Sequence, residues 1–440
     1  NGELYMDKFY KSVRLDEKLC KGCINCIKRC PTQAIRVRKG KAVITNEFCI
    51  DCGECIRICP HHAKKATYDE ISVLKDYEYK VALPAPSLYG QMNNLEDINI
   101  VLTGLKKLGF DDVYEVSGAA ELISAYSRKY VVEHPDKWPF ISTACPSIVR
   151  LIRVRFPSLI EHLLPLQAPV DLAATLAREK AMKETGLPSE KIGIVFISPC
   201  PAKVSAIKSP LGIEKSEVDA VLAINQIYPD LVEAMNRSVD EVEELSISGK
   251  IGISWGSSGG EAGGLLSDSY LAADGIENVI RVLEDMEDQK FHDNLEFIEL
   301  NACSGGCVGG VLTVENPYIA KVKIKKLRKY MPISCNHVEV TKDKLHFNEQ
   351  IKYEPVFKLG ENMIESIQRM GQVEELCSRL PGLDCGSCGA PTCKALAEDV
   401  VRGVAHERDC VHLLRKFIHK LTDEISMYDD QNGNEDNNES

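Results

Sequence analysis

The sequence has no long apolar run, no apolar segment at its start and no excess of positive charge. Its longest apolar runs, such as residues 192–197, are far shorter than the roughly 20 residues that a membrane helix needs. Residues 1–14 are polar and charged, unlike a secretory leader. The net charge of −12 opposes binding to nucleic acid, because phosphate contacts require a basic face. We therefore expect a cytoplasmic protein that binds neither nucleic acid nor a membrane.

Charge is nevertheless uneven along the chain. Residues 1–48 carry eleven Lys and Arg against five Asp and Glu, whereas residues 423–440 carry seven acids and no base. A basic surface attracts an acidic partner, so a ferredoxin-like redox protein is one expected partner. The alternative is that both regions are simply solvated surfaces.

The eighteen cysteines are a large excess for a cytoplasmic protein. Disulfides form in oxidising compartments and usually staple small domains that have little core. A chain of 440 residues is long enough for two to four domains with cores of their own. The cysteines are therefore expected to be metal ligands, and their spacing indicates which metals they bind.

A cysteine repeat opens the chain. The pattern C-x2-C-x2-C-x3-C-P occurs twice, 29 residues apart, and is typical of two-cluster bacterial ferredoxins, in which the fourth cysteine ligates the other cluster. Zinc is the alternative for one copy, but two copies that each end in proline favour two [4Fe–4S] clusters. Cluster one is assigned to Cys20, Cys23, Cys26 and Cys59, and cluster two to Cys49, Cys52, Cys55 and Cys30.

From about residue 79, short apolar runs alternate with helical periodicity, which predicts an α/β domain. We predict strands at 80–83, 112–116, 140–143, 192–197, 218–223 and 297–300. We predict helices at 98–108, 119–132 and 171–184. The glycine-rich stretch at 256–264 lacks the Gly-Lys-Ser/Thr ending of a phosphate-binding loop, so it does not predict nucleotide binding.

Three of these strands lead into cysteine-bearing loops. Cys145 follows the strand at 140–143, Cys200 that at 192–197, and Cys303 that at 297–300, with Cys307 four residues further on. Ligand sites in open α/β sheets form at the carboxyl ends of strands, so these thiols could hold one cubane. Scattered buried thiols are the alternative. Glycines at 305, 306, 309 and 310 oppose it, since they suit close approach of the backbone to a bulky cofactor.

The loop sequences resemble those of a known family. Residues 143–146 (Thr-Ala-Cys-Pro), 199–203 (Pro-Cys-Pro-Ala-Lys) and 299–310 (Glu-Leu-Asn-Ala-Cys-Ser-Gly-Gly-Cys-Val-Gly-Gly) resemble the three H-cluster motifs of the [FeFe] hydrogenases. Segments at 85–86, 118–122, 219–222 and 255–260 also fall in the family's order, so the resemblance covers about residues 79–320.

The resemblance implies an α/β H-cluster domain with two mostly parallel sheets flanked by helices. It implies a [4Fe–4S] cubane held by four cysteines, Cys145, Cys200, Cys303 and Cys307. Cys307 would also bridge to a two-iron subsite that carries CO, CN⁻ and an azadithiolate once maturation proteins have installed it. Lys203 would donate a hydrogen bond to a cyanide, and Ala85 and Pro86 would line the wall near the bridging amine.

The sequence departs from the catalytic members of the family. Their first motif has a leading cysteine that passes protons to the bridging amine, and here that position is Ala144. Two methionines that usually pack the subsite are replaced by Ser198 and Asn301, and Trp255 stands where phenylalanine is common. Losing one proton-transfer step typically costs about 10²–10⁴-fold in rate. We therefore predict a slow hydrogenase that acts on H2 and protons in a sensory or regulatory role.

A last cysteine group resembles a small four-cysteine [4Fe–4S] domain, with zinc as the main alternative. Its fourth cysteine lies on a helical pattern that spans residues 393–410. Cys335 and Cys377 have no spacing partner and are predicted to be buried thiols. The group consists of Cys385, Cys388, Cys393 and Cys410.

We predict four regions along the chain. They are an α+β ferredoxin-like domain with two clusters at 1–78, the H-cluster domain at 79–370, a small helical Fe–S domain at 371–415, and an acidic tail at 416–440, disordered at least over 429–440. No kinase or phosphatase segment is evident in the sequence. A signal is therefore expected to leave by electron transfer through the C-terminal cluster or by contact with a signalling protein, and the oligomeric state stays open.

Two rival functions remain. One is a ferredoxin-dependent catalytic hydrogenase with another proton route, through Tyr126, Glu121 or Glu261. The other is an iron–sulfur carrier or assembly factor that keeps the cubane without the two-iron subsite, as eukaryotic relatives of this fold do. Lys203 and the glycine-rich third motif favour a two-iron site over the carrier.

Overall fold

The computed structural model describes residues 10–237, 241–290, 295–356 and 359–432, with side chains as far as 427. The chain divides into two compact units. The first consists of Asn1–Arg14, Cys49–Arg57 and Lys64–Glu354, and the second of Leu15–Phe48, Ile58–Ala63 and Pro355–Ser440. Within the described residues, no helix combines the length and the apolar character that crossing a bilayer demands.

The described residues form eleven strands and sixteen α-helices. The strands are β1 (Val13–Leu15), β2 (Ile35–Arg38), β3 (Lys41–Ile44), β4 (Lys64–Ala66), β5 (Tyr79–Pro84), β6 (Asp112–Val113), β7 (Phe140–Ile141), β8 (Ile192–Ser198), β9 (Ala220–Ala223), β10 (Tyr270–Asp274) and β11 (Phe297–Asn301). The helices are α1 (Asn25–Arg29), α2 (Glu54–Arg57), α3 (Ile98–Lys107), α4 (Val116–Glu133), α5 (Pro146–Arg155), α6 (Pro169–Thr185), α7 (Pro201–Lys208), α8 (Ile224–Arg237), α9 (Lys250–Ser254), α10 (Gly260–Gly263), α11 (Ile276–Glu287), α12 (Pro317–Leu327), α13 (Lys342–Leu345), α14 (Met363–Arg379), α15 (Cys393–Val401) and α16 (Val411–Asn432).

The first unit is built on two parallel sheets. One sheet has four strands in the order β6-β5-β8-β9, and the other has three in the order β10-β11-β7. Every pairing within these two sheets is parallel. The carboxyl ends of β7, β8 and β11 therefore lead directly into the loops that carry the cysteines.

Both faces of the four-stranded sheet are buried. Ile194 and Phe196 of β8 belong to an apolar cluster that includes residues of α4 and α6. Val195 and Ile197 belong to a second cluster that includes residues of α3 and α8. Successive residues of a strand point to opposite faces, so an almost continuous apolar sequence such as that of β8 is required where helices cover both sides.

The second unit contains the antiparallel hairpin of β2 and β3, together with α1 and the helices α14 to α16. Arg36 and Arg38 on β2 both donate to the Asp399 carboxylate of α15, each at 2.6 Å. Val37 N donates to Gly389 O at 2.8 Å. The hairpin of the first cysteine repeat and the C-terminal cysteine segment are thus held together by an ion-pair cluster and a backbone hydrogen bond.

The predicted α/β architecture is confirmed, and each predicted strand or helix of this domain overlaps an observed one, although several bounds differ. The strand predicted at 112–116 ends at Val113, since α4 already begins at Val116. The strand β10 was not predicted, because its residues are only partly buried and show no alternation of apolar and polar residues.

Two predictions about the C-terminal region are wrong in part. The helical pattern predicted across 393–410 is interrupted, because α15 ends at Val401 and Gly403 has a left-handed φ of +73°. The tail predicted at 416–440 is helical as far as Asn432, because α16 continues to that residue. Residues 433–440 of the predicted disordered segment lie outside the described residues.

Candidate metal centre

The loops that carry Cys145, Cys200 and Cys303 each follow the carboxyl end of a parallel strand. Cys145 and Cys200 are the N-cap residues of α5 and α7, and a proline follows each at the first helical position, where its missing N–H costs nothing. Cys303 follows β11, and Cys307 begins the short 3₁₀ helix Cys307–Gly309. All four cysteines therefore lie in loops that follow the carboxyl ends of parallel strands.

The four thiols are close enough to interact electrostatically with one another. Burial raises the pKa of the Cys200 thiol to about 11 and that of Cys307 to about 12. Burial also raises the pKa of Cys303 well above its ordinary value, and the neighbouring cysteines add to the effect. Only a thiolate is a good metal ligand, so a bound cluster must supply the positive charge that favours the deprotonated form. The site fits a metal–sulfur cluster with four thiolate ligands.

Glycines hold the third loop close to neighbouring backbone. Gly306 has a φ of +90°, and a Cβ on it would lie 2.3 Å from Ser258 N. A Cβ on Gly310 would lie 2.2 Å from Pro199 O. The sequence suggested that these glycines make room for a cofactor, but the atoms that a side chain would meet belong to other loops of the protein. Gly306 thus lets the third loop pack against the segment at 257–258, and Gly310 lets it pack against the loop that carries Cys200.

A small cavity opens beside these loops. Ser87 also lines it, and its buried hydroxyl has no hydrogen-bond partner among the described residues. A buried hydroxyl without a partner is costly, so this one fits a ligand that accepts a hydrogen bond. Seven residues predicted for the cofactor line the same cavity: Ala85, Pro86, Ala144, Lys203, Trp255, Asn301 and Cys307.

Lys203 stands at the junction of the cavity and the thiols. Its Nζ donates to Ala144 O at 3.2 Å, and its charge lowers the pKa of both Cys200 and Cys307 against the effect of burial. Two of the three protons on the ammonium group are therefore left for other acceptors. This arrangement suits an anionic or strongly dipolar ligand in the cavity.

Two buried carboxyl groups, those of Glu261 and Glu299, form another part of the cavity wall. Ser142 Oγ donates to Glu261 Oε2 at 2.5 Å and accepts from Ala144 N at 3.2 Å. Glu299 accepts hydrogen bonds from Gly259 N at 2.9 Å, Ala262 N at 2.9 Å and Asn301 Nδ2 at 2.7 Å. Burial, and then the charge of Glu299, raise the pKa of Glu261 to about 8. Glu261 is thus protonated at neutral pH beside a buried partner that accepts more hydrogen bonds.

Other residues named from the sequence lie elsewhere. The Glu121 carboxylate accepts from Gly249 N at 2.5 Å and from Cys335 N at 2.8 Å, so it ties loops together outside the cavity lining. Tyr126 Oη is 2.8 Å from His346 Nε2 and does not line the cavity either. Ser198 donates to Cys200 O at 3.0 Å, which makes it a support of the cysteine loop. Of the three proton routes considered, only Glu261 lies on the cavity.

Sequence reasoning missed Ser87 and Glu299. Ser87 directly follows the Ala85-Pro86 pair, and Glu299 lies two residues before Asn301 on β11, where side chains share a face. Adjacency to those motif residues was the available signal in both cases. The missing hydrogen-bond partner of Ser87 depends on the packing of the whole cavity and is not readable from the sequence.

The cysteines of the N-terminal repeat are supported by backbone amides. Ala42 N donates to Cys20 Sγ at 3.4 Å, Ala34 N to Cys30 Sγ at 3.2 Å, and Ala63 N to Cys59 Sγ at 3.3 Å, all within the second unit. Hydrogen bonds to sulfur are the usual surroundings of Fe–S clusters and tune their potentials. Cys49, Cys52 and Cys55 belong to the first unit, so the interleaved assignment of the two clusters stays a prediction.

The C-terminal cysteines surround the start of α15 and of α16. Cys393 is the first residue of α15, and the buried Cys410 precedes α16. Cys388 interacts electrostatically with Cys410 and Cys385. Among the described residues, no three His, Cys, Asp or Glu side chains stand in the arrangement that holds a single metal ion. Cys335 is exposed, so the prediction that it is buried is wrong, because its loop lies at the surface over Glu121.

The fold and the cysteine loops define an α/β iron–sulfur protein. Comparison with known families identifies the family to which it belongs. Residues 78–270 and 264–311 match the family "Iron only hydrogenase large subunit, C-terminal domain". Residues 12–60 match the "4Fe-4S dicluster domain", and residues 380–412 match the "Putative Fe-S cluster" family. The chain belongs to the iron-only, or [FeFe], hydrogenase family. The Fe–S character of the N-terminal and C-terminal cysteine segments is confirmed with it.

Individual relatives are distant. Iron hydrogenase 1 of Clostridium pasteurianum is 24% identical over 399 residues, which cover 74% of this chain and 69% of the relative. The NADP-reducing hydrogenase subunit HndD of Solidesulfovibrio fructosivorans is 23% identical over 68% of this chain and 56% of its own length. An apo [FeFe]-hydrogenase HydA1 variant from Chlamydomonas reinhardtii has a TM-score of 0.45 and 14% identity, covering 59% of this chain and 88% of that one.

Proposed function

We propose that this chain binds an H-cluster and slowly interconverts H2 with two protons and two electrons, in a sensory or regulatory role. The observation that carries the proposal is a set of four clustered thiols beside a cavity lined by Lys203, Ser87 and Ala144. The groups that would hold the cofactor are present. The side chain that would relay protons at position 144 is a methyl group.

The cubane would be held by Cys145, Cys200, Cys303 and Cys307. The two-iron subsite, reached through Cys307, supplies the metal-centred chemistry of H2 when it is bound. Lys203 and the Ser87 hydroxyl are available as hydrogen-bond donors to its diatomic ligands, and the charge of Lys203 makes its bond the stronger one. Ala85 and Pro86 give the cavity an apolar wall that limits access of water.

Glu261 would carry protons in place of the missing side chain at position 144. Its pKa of about 8 keeps one carboxyl oxygen protonated at neutral pH and allows the proton to be given up and regained. The Ser142 hydroxyl connects Glu261 Oε2 to the backbone at Ala144, and Lys203 keeps a positive charge nearby. Because Ala144 contributes no intermediate carrier, we expect proton transfer to be slow.

Electrons would pass through [4Fe–4S] clusters at the N-terminal repeat and at the C-terminal cysteines. Support comes from the second unit, where Lys28 in the first repeat donates to Asp384 O at 2.5 Å and to Pro391 O at 3.1 Å. The C-terminal cysteine loop therefore packs on the helix that carries Cys26. A redox partner or a signalling protein would exchange electrons, or make contact, at this end of the chain.

The test is to install the two-iron cofactor anaerobically and to record infrared spectra and H2 turnover beside Ala144→Cys. We expect CO and CN⁻ bands, slow turnover, and faster turnover in the variant because a thiol carrier is restored. Turnover as fast as that of a catalytic hydrogenase would contradict the sensory role. Cubane signals without CO and CN⁻ bands would instead identify an iron–sulfur carrier on this scaffold.

The output route has its own test. Deleting residues 385–440 removes the C-terminal cysteines but leaves the four thiols of the first unit in place. We expect this truncation to abolish signalling while the infrared response of the H-cluster to H2 is retained. Unchanged signalling from the truncated chain would contradict the proposed route.

A further inference from the structure

A buried guanidinium lies between two of the cysteine loops in the first unit. Arg150 on α5 is only 5% exposed, and its charge interacts with both Cys49 of the second repeat and Cys200 of the cavity site. Its Nη1 stands 3.5 Å from Asp51 Oδ2, and its Nη2 donates to Ser209 O at 3.3 Å. Nη1 donates no hydrogen bond within the part of the chain that the structure describes. The guanidinium is therefore buried with incomplete hydrogen bonding.

Asp51 pairs with Arg150 only at 3.5 Å, and both of its carboxylate oxygens accept hydrogen bonds from other donors. Asp51 Oδ1 accepts from Val13 N at 3.0 Å, and Oδ2 accepts from Ser205 Oγ at 2.8 Å. A second buried cation lies on the same side, since Lys11 Nζ donates to Cys49 O at 2.5 Å. Arg153, the next arginine on α5, is paired with Glu354 at 3.2 Å. Two cations and one carboxylate thus leave a net positive charge beside Cys49.

A structural purpose alone would not require this charge. Ser147 Oγ already donates to Ile50 O at 3.1 Å, and Arg57 Nη2 donates to Gly309 O at 2.8 Å, so the 49–57 loop is attached to the domain by other contacts. Burying a charged group carries a desolvation penalty, and a neutral side chain of similar size is often as stable in such a place. The retained charge therefore points to a partner whose own charge changes.

We propose that Arg150 is a positioning residue for electron transfer, whose positive charge stabilises the reduced forms of both the Cys49 cluster and the cubane of the cavity site. One electron leaves the first cluster, which is oxidised, and enters the second, which is reduced, or the reverse; no bond is formed or broken. Reduction adds one negative charge to a cluster, and a buried cation stabilises that charge strongly because water does not screen it. The inference rests on the clusters assigned under the proposed function.

The role of Lys11 differs from that of Arg150. Lys11 reaches the backbone of Cys49, and both Arg150 and Asp51 are among the charges that act on it. It therefore favours reduction of the Cys49 cluster. Arg150 acts on both clusters and raises both reduction potentials. The difference between the two potentials, which sets the driving force for electron transfer, therefore stays small.

The test uses the full chain reconstituted with [4Fe–4S] clusters and without the two-iron subsite. Midpoint potentials are measured by redox titration followed by electron paramagnetic resonance, with dithionite as the reductant. Signals are assigned with Cys52→Ser and Cys303→Ser. We expect Arg150→Gln to lower both potentials, Arg150→Lys to restore them in part, and Lys11→Gln to lower that of the Cys49 cluster alone. Arg178→Gln is the control, because it removes another buried guanidinium, which pairs with Asp219 at 2.6 Å.

Unchanged potentials in Arg150→Gln with all clusters assembled would overturn the proposal, even if the variant unfolds more easily. If Arg150→Gln does not retain its clusters, Lys11→Gln decides: a lowered potential of the Cys49 cluster supports the electrostatic role, and an unchanged one overturns it. Failure of the wild-type chain to assemble clusters would contradict the proposed function instead, so the two results are distinguishable.

Discussion

At the scale of single residues, the cavity combines donors that fit a bound cofactor with a wall that lacks the expected proton carrier. Ser142 accepts from the backbone at Ala144 and donates to Glu261, so an acid is attached to the position where the carrier is missing. Under the proposed function, a carboxyl group two hydrogen bonds away would keep proton exchange available. It also makes that exchange depend on the pKa of one buried group.

Glu261→Gln removes the proposed proton carrier and keeps the shape of the side chain. We expect H2 turnover by the matured protein to fall about 10²-fold while the CO and CN⁻ bands are kept. The wild-type rate of H2 formation is expected to decrease as the pH rises through about 8, because Glu261 then loses its proton. A pH profile that is the same in both proteins would show that Glu261 carries no proton.

The same group makes stability depend on pH. Burial raises the pKa of Glu261 to about 8 from the 4.5 of an ordinary carboxyl group, so between these values only the folded chain holds the proton. Stability therefore falls as the pH rises through that window. We expect the urea midpoint of wild type to decrease relative to that of Glu261→Gln between pH 5 and pH 8. A constant difference would contradict the raised pKa.

Ser87→Ala tests the unpaired hydroxyl of the cavity. We expect the variant to bind the two-iron cofactor but to show a shifted CN⁻ band, because one hydrogen-bond donor to that ligand is lost. Ser127→Ala is a matched control, since its hydroxyl is also buried without a partner among the described residues but does not line the cavity. Identical spectra for wild type and Ser87→Ala would exclude the contact.

At the scale of elements, the strands could be predicted and the contacts between loops could not. The apolar runs of β5, β8 and β11 identify buried parallel strands, and the cysteines that follow them predict the site. Glu299 was missed because it stands inside an otherwise apolar strand, where a single carboxylate has no local signal. Arg150 was missed because its partner Asp51 lies 99 residues away in sequence, so only the tertiary structure brings them together.

Gly306→Ala tests the packing of the third loop. The new Cβ would meet Ser258 N at 2.3 Å, and the φ of +90° is strained for any L-residue, so we expect a loss of about 3–5 kcal/mol in stability. Gly263→Ala is the matched control, because no atom lies within 4 Å of its added Cβ. Iron content and thermal unfolding measure both effects. Equal iron content and equal stability in the two variants would contradict the close packing.

Asp399→Asn tests the ion-pair cluster that attaches α15 to the β2–β3 hairpin. Two arginines would lose their shared carboxylate, which we expect to cost about 2–3 kcal/mol, since Arg38 stays partly hydrated. Hydrogen exchange should become faster in the hairpin and in α15 while the parallel sheets keep their protection. Unchanged exchange in the hairpin would show that the other contacts suffice.

At the scale of the whole molecule, the division into two units does not follow the order of the sequence. Segments on either side of the large domain fold together in the second unit, and each of these segments carries cysteines. Contiguous regions were the natural prediction from composition, because composition changes along the chain and does not report which distant segments meet. Family matches at 12–60 and 380–412 identify the pieces but not their association.

The four thiols of the first unit come from two separate sheets, since Cys200 follows β8 of the four-stranded sheet while the others follow β7 and β11 of the three-stranded one. A cluster bound by all four thiolates would therefore link the four-stranded sheet to the three-stranded sheet through metal–sulfur bonds. Ligands that bind only the folded state raise its stability by mass action. The melting temperature of this domain should thus rise with its iron content. Loss of one thiolate ligand should weaken the link between the two sheets.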